Sequence, residues 1–306
     1  MRPRGNSSPP SSIRWLLAQD DRAAELRVQA DRPPASLATL DALRLGGGSA
    51  RALCVVDQRM ALRAKPYLQD VSVERDTVPG DEVYPFNIPA VRHLHGLEFH
   101  PDVTFLVGEN GSGKSTLLEA IALSLGFGAE GGTKNVRVKT AETVSSLHNH
   151  LRLVKSFKAP KDHYFLRAES FYNVATYMDE VGYLDGYGGK SLHQRSHGES
   201  FMTLLTTKFR GKGLYLLDEP EAALSPSRQL AALSAIHQLV EDDSQFIIAT
   251  HSPILLSYPR AKIMLLDGTG ITEVSYEDTE HFAVTRDFLN NYPRRLEMLF
   301  SDESDA

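Results

Sequence analysis

The chain has 306 residues, a formal net charge of −6, 42% hydrophobic and 24% charged residues, and a single cysteine. That length admits one large domain or two ordinary ones, and the composition is that of a soluble globular protein. The acidic balance argues against a surface that coats nucleic acid throughout; Cys54 alone excludes an intrachain disulfide or a cysteine-rich zinc site; and no apolar run approaches the roughly 20 residues of a membrane span.

Residues 1–64 carry ten arginines, no lysine and six acidic residues, with the cluster NSSPPSS and the triplet GGG at 47–49. IRWLLAQ (13–19) and LATLDALRL (37–45) suit short helices but do not extend into a sustained amphipathic pattern, so a weakly ordered extension is expected. The N-terminus has no continuous apolar core of a secretory signal, which with the lone thiol points to a cytoplasmic protein. Met60 stands just before the composition changes and is a candidate native start.

From Lys65 onward, short apolar runs alternate with helical spacing. VTFLVG (103–108), HYFLRAE (163–169), GLYLLDE (213–219), QFIIAT (245–250) and AKIMLLD (261–267) read as buried strands; TLLEAIALSLG (116–126) and PSRQLAALSAIHQLV (226–240) read as helices. Such alternation predicts a parallel sheet with helices on both faces, a single α/β domain over 65–306.

GENGSGKST (108–116) fits G-x-x-x-x-G-K-[ST] and sits between an apolar strand and a helix, as that pattern requires. Its members Gly108, Glu109, Asn110, Gly111, Ser112, Gly113, Lys114, Ser115 and Thr116 form a loop whose backbone N–H groups turn inward on phosphate oxygens, helped by the helix N-terminus. Lys114 is expected to reach the β- and γ-phosphates and Ser115 to bind Mg²⁺. GLYLLDEP then ends a strand with Asp218, suited to the metal's water shell, and Glu219, suited to polarising an attacking water. THSP (250–253) puts His251 at the same sheet edge, within reach of a γ-phosphate.

The order GENGSGKST, SHGES, LLDEPEAALS, ATHSP resembles the ABC-type ATPase fold, and within it small soluble ATPases related to SMC- and RecF-like proteins, over about residues 66–306. The resemblance implies a P-loop NTPase of the ABC-ATPase head type with a compact helical subdomain at about 141–205. It implies ATP and Mg²⁺ as ligands, ATP hydrolysis as the reaction, and a homodimer formed on ATP binding. In that arrangement Ser196 and Gly198, 22 and 20 residues before Asp218, contact nucleotide bound to the second copy, and EAALS (221–225) crosses the same interface.

The sequence departs from the transporter pattern at RSHGE (195–199), where His197 and Glu199 replace glycine and glutamine, which favours the non-transporter branch. Glu169 in RAES (167–170) stands where that family places a glutamine, and a carboxylate there suits Mg²⁺ or its water. Tyr84 and Phe86 are weak candidates to stack on adenine and read better as core. Eight Lys/Arg against two Asp/Glu between Lys134 and Arg167 form a basic strip, including Lys134, Arg137 and Lys139, that reads either as a solvated helix face or as a contact surface for a DNA backbone. GFGAEGG (126–132) reads as a flexible loop, and the chain after residue 267 leaves no room for a nuclease, so no DNA cleavage is expected. The expected function is an ATP-switched dimeric ATPase in DNA maintenance or defence. The ATP-binding subunit of a transporter and a nucleotide-dependent regulatory module stay open as alternatives.

Overall fold

The computed structural model describes residues 65–134, 144–180, 193 and 196–301. The N-terminal extension, Met60, Arg137 and Lys139 lie outside the described residues. In chain order these hold β1 (Leu68–Val73), α1 (Pro89–Arg92), β2 (Leu97–Glu98), β3 (Val103–Val107), α2 (Lys114–Ser124), β4 (Leu151–Lys155) and β5 (Asp162–Arg167). They continue with α3 (Phe171–Glu180), α4 (His197–Thr203), β6 (Gly213–Asp218), α5 (Pro226–Glu241), β7 (Gln245–Ala249), α6 (Pro253–Leu256), β8 (Ala261–Asp267), β9 (Gly270–Val274) and α7 (Glu280–Ser301). The described residues divide into two units, 65–285 and 286–301.

The central sheet runs β5-β6-β7-β3-β8-β9, parallel throughout except for the antiparallel edge strand β9. Every residue of β3, β6 and β7 is buried. A parallel strand covered on both faces has no wet side, which is why these segments read as unbroken apolar runs. Successive side chains point to opposite faces and so feed two cores. Phe105, Val107, Tyr215, Leu217, Phe246 and Ile248 pack toward α3, α4 and α5. Leu106, Leu214, Leu216, Ile247 and Ala249 pack toward α2 and a smaller antiparallel sheet, β2-β1-β4.

A buried amide joins the two sheets. Gln245 at the start of β7 accepts from the Leu68 N–H at 3.0 Å and donates to the Leu68 carbonyl at 2.9 Å, so its side chain acts as a strand partner for β1. Without it two buried backbone groups would lack partners.

The segment expected as a helical subdomain gives α3 and α4 as helices, while β4 joins the small sheet and β5 the edge of the large one. The glycine-rich 126–132 segment is not a free loop. Gly132 and Phe165 exchange backbone hydrogen bonds of 2.7 and 3.0 Å along the β5 edge, and a Cβ on Gly131 would lie 2.7 Å from the Phe165 carbonyl oxygen.

In the 286–301 unit, α7 bends at Asn291, whose φ of −131° is not helical, two residues before Pro293. Proline lacks the N–H and its ring crowds the carbonyl four residues back. Arg295 binds Asp287 through Nε and Nη2, each at 2.7 Å, and Asn291 donates to the Asp287 carbonyl at 3.2 Å. No helix among the described residues is long and apolar enough to cross a membrane.

Candidate active site

Three of the four sequence motifs come together at the C-terminal ends of β3, β6 and β7, the edge where parallel α/β sheets take their ligands. Residues 108–113 turn from β3 into α2, and the turn depends on glycine. Gly108 has φ +145°, where a Cβ would collide with the Leu266 carbonyl oxygen and lie 2.8 Å from the Ser112 hydroxyl. Gly113, at φ +99°, caps α2 in the left-handed region, and a Cβ there would come 2.8 Å from Ile88. Glu109, Asn110 and Gly111 are exposed at the tip, and the Ser112 N–H closes the turn onto the Glu109 carbonyl at 3.2 Å.

Lys114 is buried, and its ammonium folds back on the loop, donating to the carbonyls of Gly108 at 2.9 Å and Glu109 at 2.8 Å. Burial lowers its pKa below the ordinary lysine value, while Glu219, Asp218 and Glu221 pull it up. One residue on, the Ser115 hydroxyl donates to Asp218 Oδ1 at 2.9 Å. Asp218 is buried at the end of β6, and its pKa rises to about 6. Burial is the main cause; the Ser115 bond and Arg167 oppose it, and Glu219 and Glu169 add to it. A serine hydroxyl beside one buried carboxylate, open to phosphate oxygens and water, is the hard-oxygen set that Mg²⁺ takes. Ser115 and Asp218 therefore fit that ion.

Glu219 follows in a left-handed conformation, φ 50° and ψ 51°, with its N–H bonded to the Ala249 carbonyl at 2.9 Å. That backbone is unusual for a non-glycine residue and turns the carboxylate out of the strand. A cavity of about 420 Å³ is bounded by Glu219, Lys114, Ser115, Thr116, Asn110 and Tyr84 among others. His251 lies behind Glu219, with Nε2 3.9 Å from Glu219 Oε1. Its backbone N–H donates to Glu221 Oε1 at 2.5 Å, which ties the 221–225 segment to the end of β7.

Tyr84 is 61% exposed with its hydroxyl 3.4 Å from Thr116 Oγ1, whereas Phe86 is fully buried against His150 and belongs to the core. Glu169 is exposed, 3.5 Å from Arg167.

Ser196 and Gly198 do not border the phosphate cavity of their own chain. Ser196 caps α4 through a reciprocal box with Glu199: the Glu199 N–H donates to Ser196 Oγ at 3.3 Å, and the Ser196 N–H donates to Glu199 Oε2 at 2.9 Å. Arg228 from α5 also donates to Ser196 Oγ at 3.2 Å, and a Cβ on Gly198 would strike that guanidinium. Glu219 also borders a second cavity of about 510 Å³ with Glu169, His197 and Phe201.

Sequence reasoning missed three groups. Arg167, counted in the basic strip, instead enters the site. It pairs with Glu119 and lies 4.0 Å from Asp218 Oδ2. Glu119 follows Ser115 by four residues, one helical turn, and that spacing was a signal for it. His281, at the start of α7, meets the His251 ring at 3.0 Å and carries no motif. Lys134 is also drawn inward, with its ammonium 5.4 Å above the Phe127 ring, leaving Arg152, Lys155, Lys158 and Lys161 as exposed cations among the described residues of the strip.

The family model described as an AAA domain matches residues 86–170, which span the phosphate loop and β5. No curated protein matches the chain. Among solved structures it is similar to an inward-facing metal-chelate-type ABC transporter, at 18% identity over 72% of this chain and 88% of that one, with a TM-score of 0.39. It is likewise similar to an SMC head bound to the C-terminal winged-helix domain of ScpA, at 14% identity, 69% and 98% coverage and a TM-score of 0.39. An SMC head domain from Thermotoga maritima matches at 15% identity over 68% of this chain and 98% of that one, with a TM-score of 0.35. The parallel strand order, the phosphate loop and the acidic strand end beside it give the chain the α/β fold of a P-loop NTPase, and the AAA-domain match falls on that loop.

Proposed function

We propose that the chain hydrolyses ATP with Mg²⁺ and works as an ATP-switched homodimer. The observation that carries this reading is the Ser115–Asp218 hydrogen bond of 2.9 Å beside the buried Lys114, with Glu219 on the same cavity. Lys114, already desolvated, exchanges its two loop carbonyls for phosphate oxygens, a gain that grows in a low-dielectric pocket. Ser115 and Asp218 would hold the metal, and Glu169 would serve it directly or through water. The bound ion supplies charge neutralisation on the phosphates. Glu219 orients and polarises the attacking water, and His251 donates to the γ-phosphate side.

Ser196 and Gly198 sit away from the cavity of their own chain, which supports their serving the site of a second copy. The exposed Arg152, Lys155, Lys158 and Lys161 support a DNA-backbone contact, which would weaken steeply with salt.

Light scattering of Glu219→Gln with and without ATP–Mg²⁺ tests the switch. Retained ATP and a doubled mass are expected; a variant that turns over ATP like the parent protein removes Glu219 from its role.

A further inference from the structure

His251 and His281 come from different parts of the fold. The first follows β7 by two residues; the second is the second residue of α7, 30 positions later. Thr279 sets the start of α7: its buried side chain accepts from the Phe282 N–H at 3.3 Å and donates to the Tyr276 carbonyl at 2.7 Å. This brings His281 Nε2 to 3.0 Å from His251 Nδ1, with the rings inclined at 52°. One ring nitrogen donates and the other accepts, and two neutral imidazoles allow either direction.

The surroundings decide which. The other nitrogen of His251, Nε2, is buried with no hydrogen-bond partner among the described residues, and a Glu219 carboxylate oxygen lies 3.9 Å away. A lone pair facing that carboxylate is repelled, whereas an N–H is attracted. Both rings favour the neutral form. Burial lowers the pKa of His251, with Lys114 adding to the effect and Glu219 and Glu221 opposing it. Burial, then His251 and Lys114, lower that of His281, and the N-terminal end of a helix further disfavours a cation there.

We infer that His281 is a positioning residue: its Nε2–H donates to His251 Nδ1 and fixes His251 as the Nε2-protonated tautomer, so that a donor faces Glu219 on the phosphate cavity. The glutamates alone would not hold the ring. The Glu221 contact is to the His251 backbone N–H, and the Glu219 contact is too long for a hydrogen bond. The consequence for turnover rests on the ATPase reading proposed above; the tautomer does not.

Long-range ¹H–¹⁵N correlation spectra of histidine-labelled protein at pH 7.5 read the tautomer directly. His251 should show a protonated Nε2 and a bare Nδ1. In His281→Ala the Nδ1-protonated tautomer should gain population, since only the Glu219 contact at 3.9 Å then favours Nε2–H, and kcat should fall by about tenfold with the KM for ATP changed less than about twofold. His281→Gln carries an amide N–H near the imidazole Nε2 position and should restore the tautomer and most of the kcat. A His251 protonated on Nδ1 in the parent protein overturns the inference, as does a His251 tautomer that is the same in His281→Ala. If the tautomer responds as stated but the parent protein hydrolyses no ATP, the ATPase reading falls and the role of His281 stands.

Discussion

Arg167 and Asp218 are register partners at the ends of adjacent parallel strands, and the Arg167 Nε lies 4.0 Å from Asp218 Oδ2. The same guanidinium pairs with Glu119 on α2, so one cation lies between two carboxylates that are 9% and 14% exposed. Burial pushes the Glu119 carboxyl upward and Arg167 pulls it back. The residue that counts toward a basic surface in the sequence is therefore a half-buried counter-charge in the fold.

Removing that cation leaves both carboxylates in low dielectric. Arg167→Met is expected to destabilise the nucleotide-free protein by about 3 kcal/mol. Adding Glu119→Gln should recover part of the loss, because only Asp218 then stays uncompensated. Urea unfolding of the three proteins gives the comparison; an Arg167→Met midpoint equal to that of the parent removes Arg167 from this role.

The raised pKa of Asp218 sets a pH dependence with a definite sign. A carboxyl whose folded pKa exceeds its unfolded value favours the fold when protonated, so its contribution is complete below about 3.8 and is lost as the pH rises through about 6. At neutral pH the ionised group costs the nucleotide-free fold about 3 kcal/mol. Asp218→Asn should therefore melt higher than the parent at pH 7.5 without nucleotide, with the gap closing toward pH 4. With ATP–Mg²⁺ the order should reverse, since the variant has lost the carboxylate proposed to hold the metal. Equal melting temperatures at both pH values would contradict the burial argument.

Two glycines of the phosphate loop separate steric need from conformational preference. Gly108 combines φ +145° with a collision against the Leu266 carbonyl; Gly111 at φ +83° has open space around its missing Cβ. Gly108→Ala is expected to cost about 2 kcal/mol or more and to abolish nucleotide binding, and Gly111→Ala about 1 kcal/mol with binding retained. Thermal melts with a fluorescent ATP analogue resolve the pair, and identical behaviour of the two variants would refute the distinction.

The parts of this site that a reader of the sequence could find are those with local causes. The phosphate loop is written in consecutive residues, and β3, β6 and β7 stand out because burial on both faces leaves almost no polar interruption. The small sheet was not legible. β1 alternates buried and wetter positions, β2 has two residues and β4 is mostly outward-facing, so none forms an apolar run. Arg167 with Glu119, and His251 with His281, are pairs 48 and 30 residues apart. Strand register and helix placement bring them together; the one-turn spacing from Ser115 points to Glu119, but no local pattern encodes either pairing.

The proposed sharing of sites between two copies has a quantitative signature in mixtures. Lys114→Ala should disable the phosphate loop of its own chain while leaving Ser196 intact. Ser196→Ala should do the reverse, at a cap cost of about 1 kcal/mol because the backbone N–H of residue 196 still donates to Glu199, which stays paired with Arg228. Each variant alone then has no complete site in a homodimer. In an equal mixture about half the dimers are mixed, and each mixed dimer has one complete site of two, so activity should recover to about one quarter of the parent value. A site built within one chain predicts no recovery on mixing, because every phosphate loop and every Ser196 would keep its own defect. Steady-state ATP turnover of the two variants, separately and mixed, decides between these arrangements.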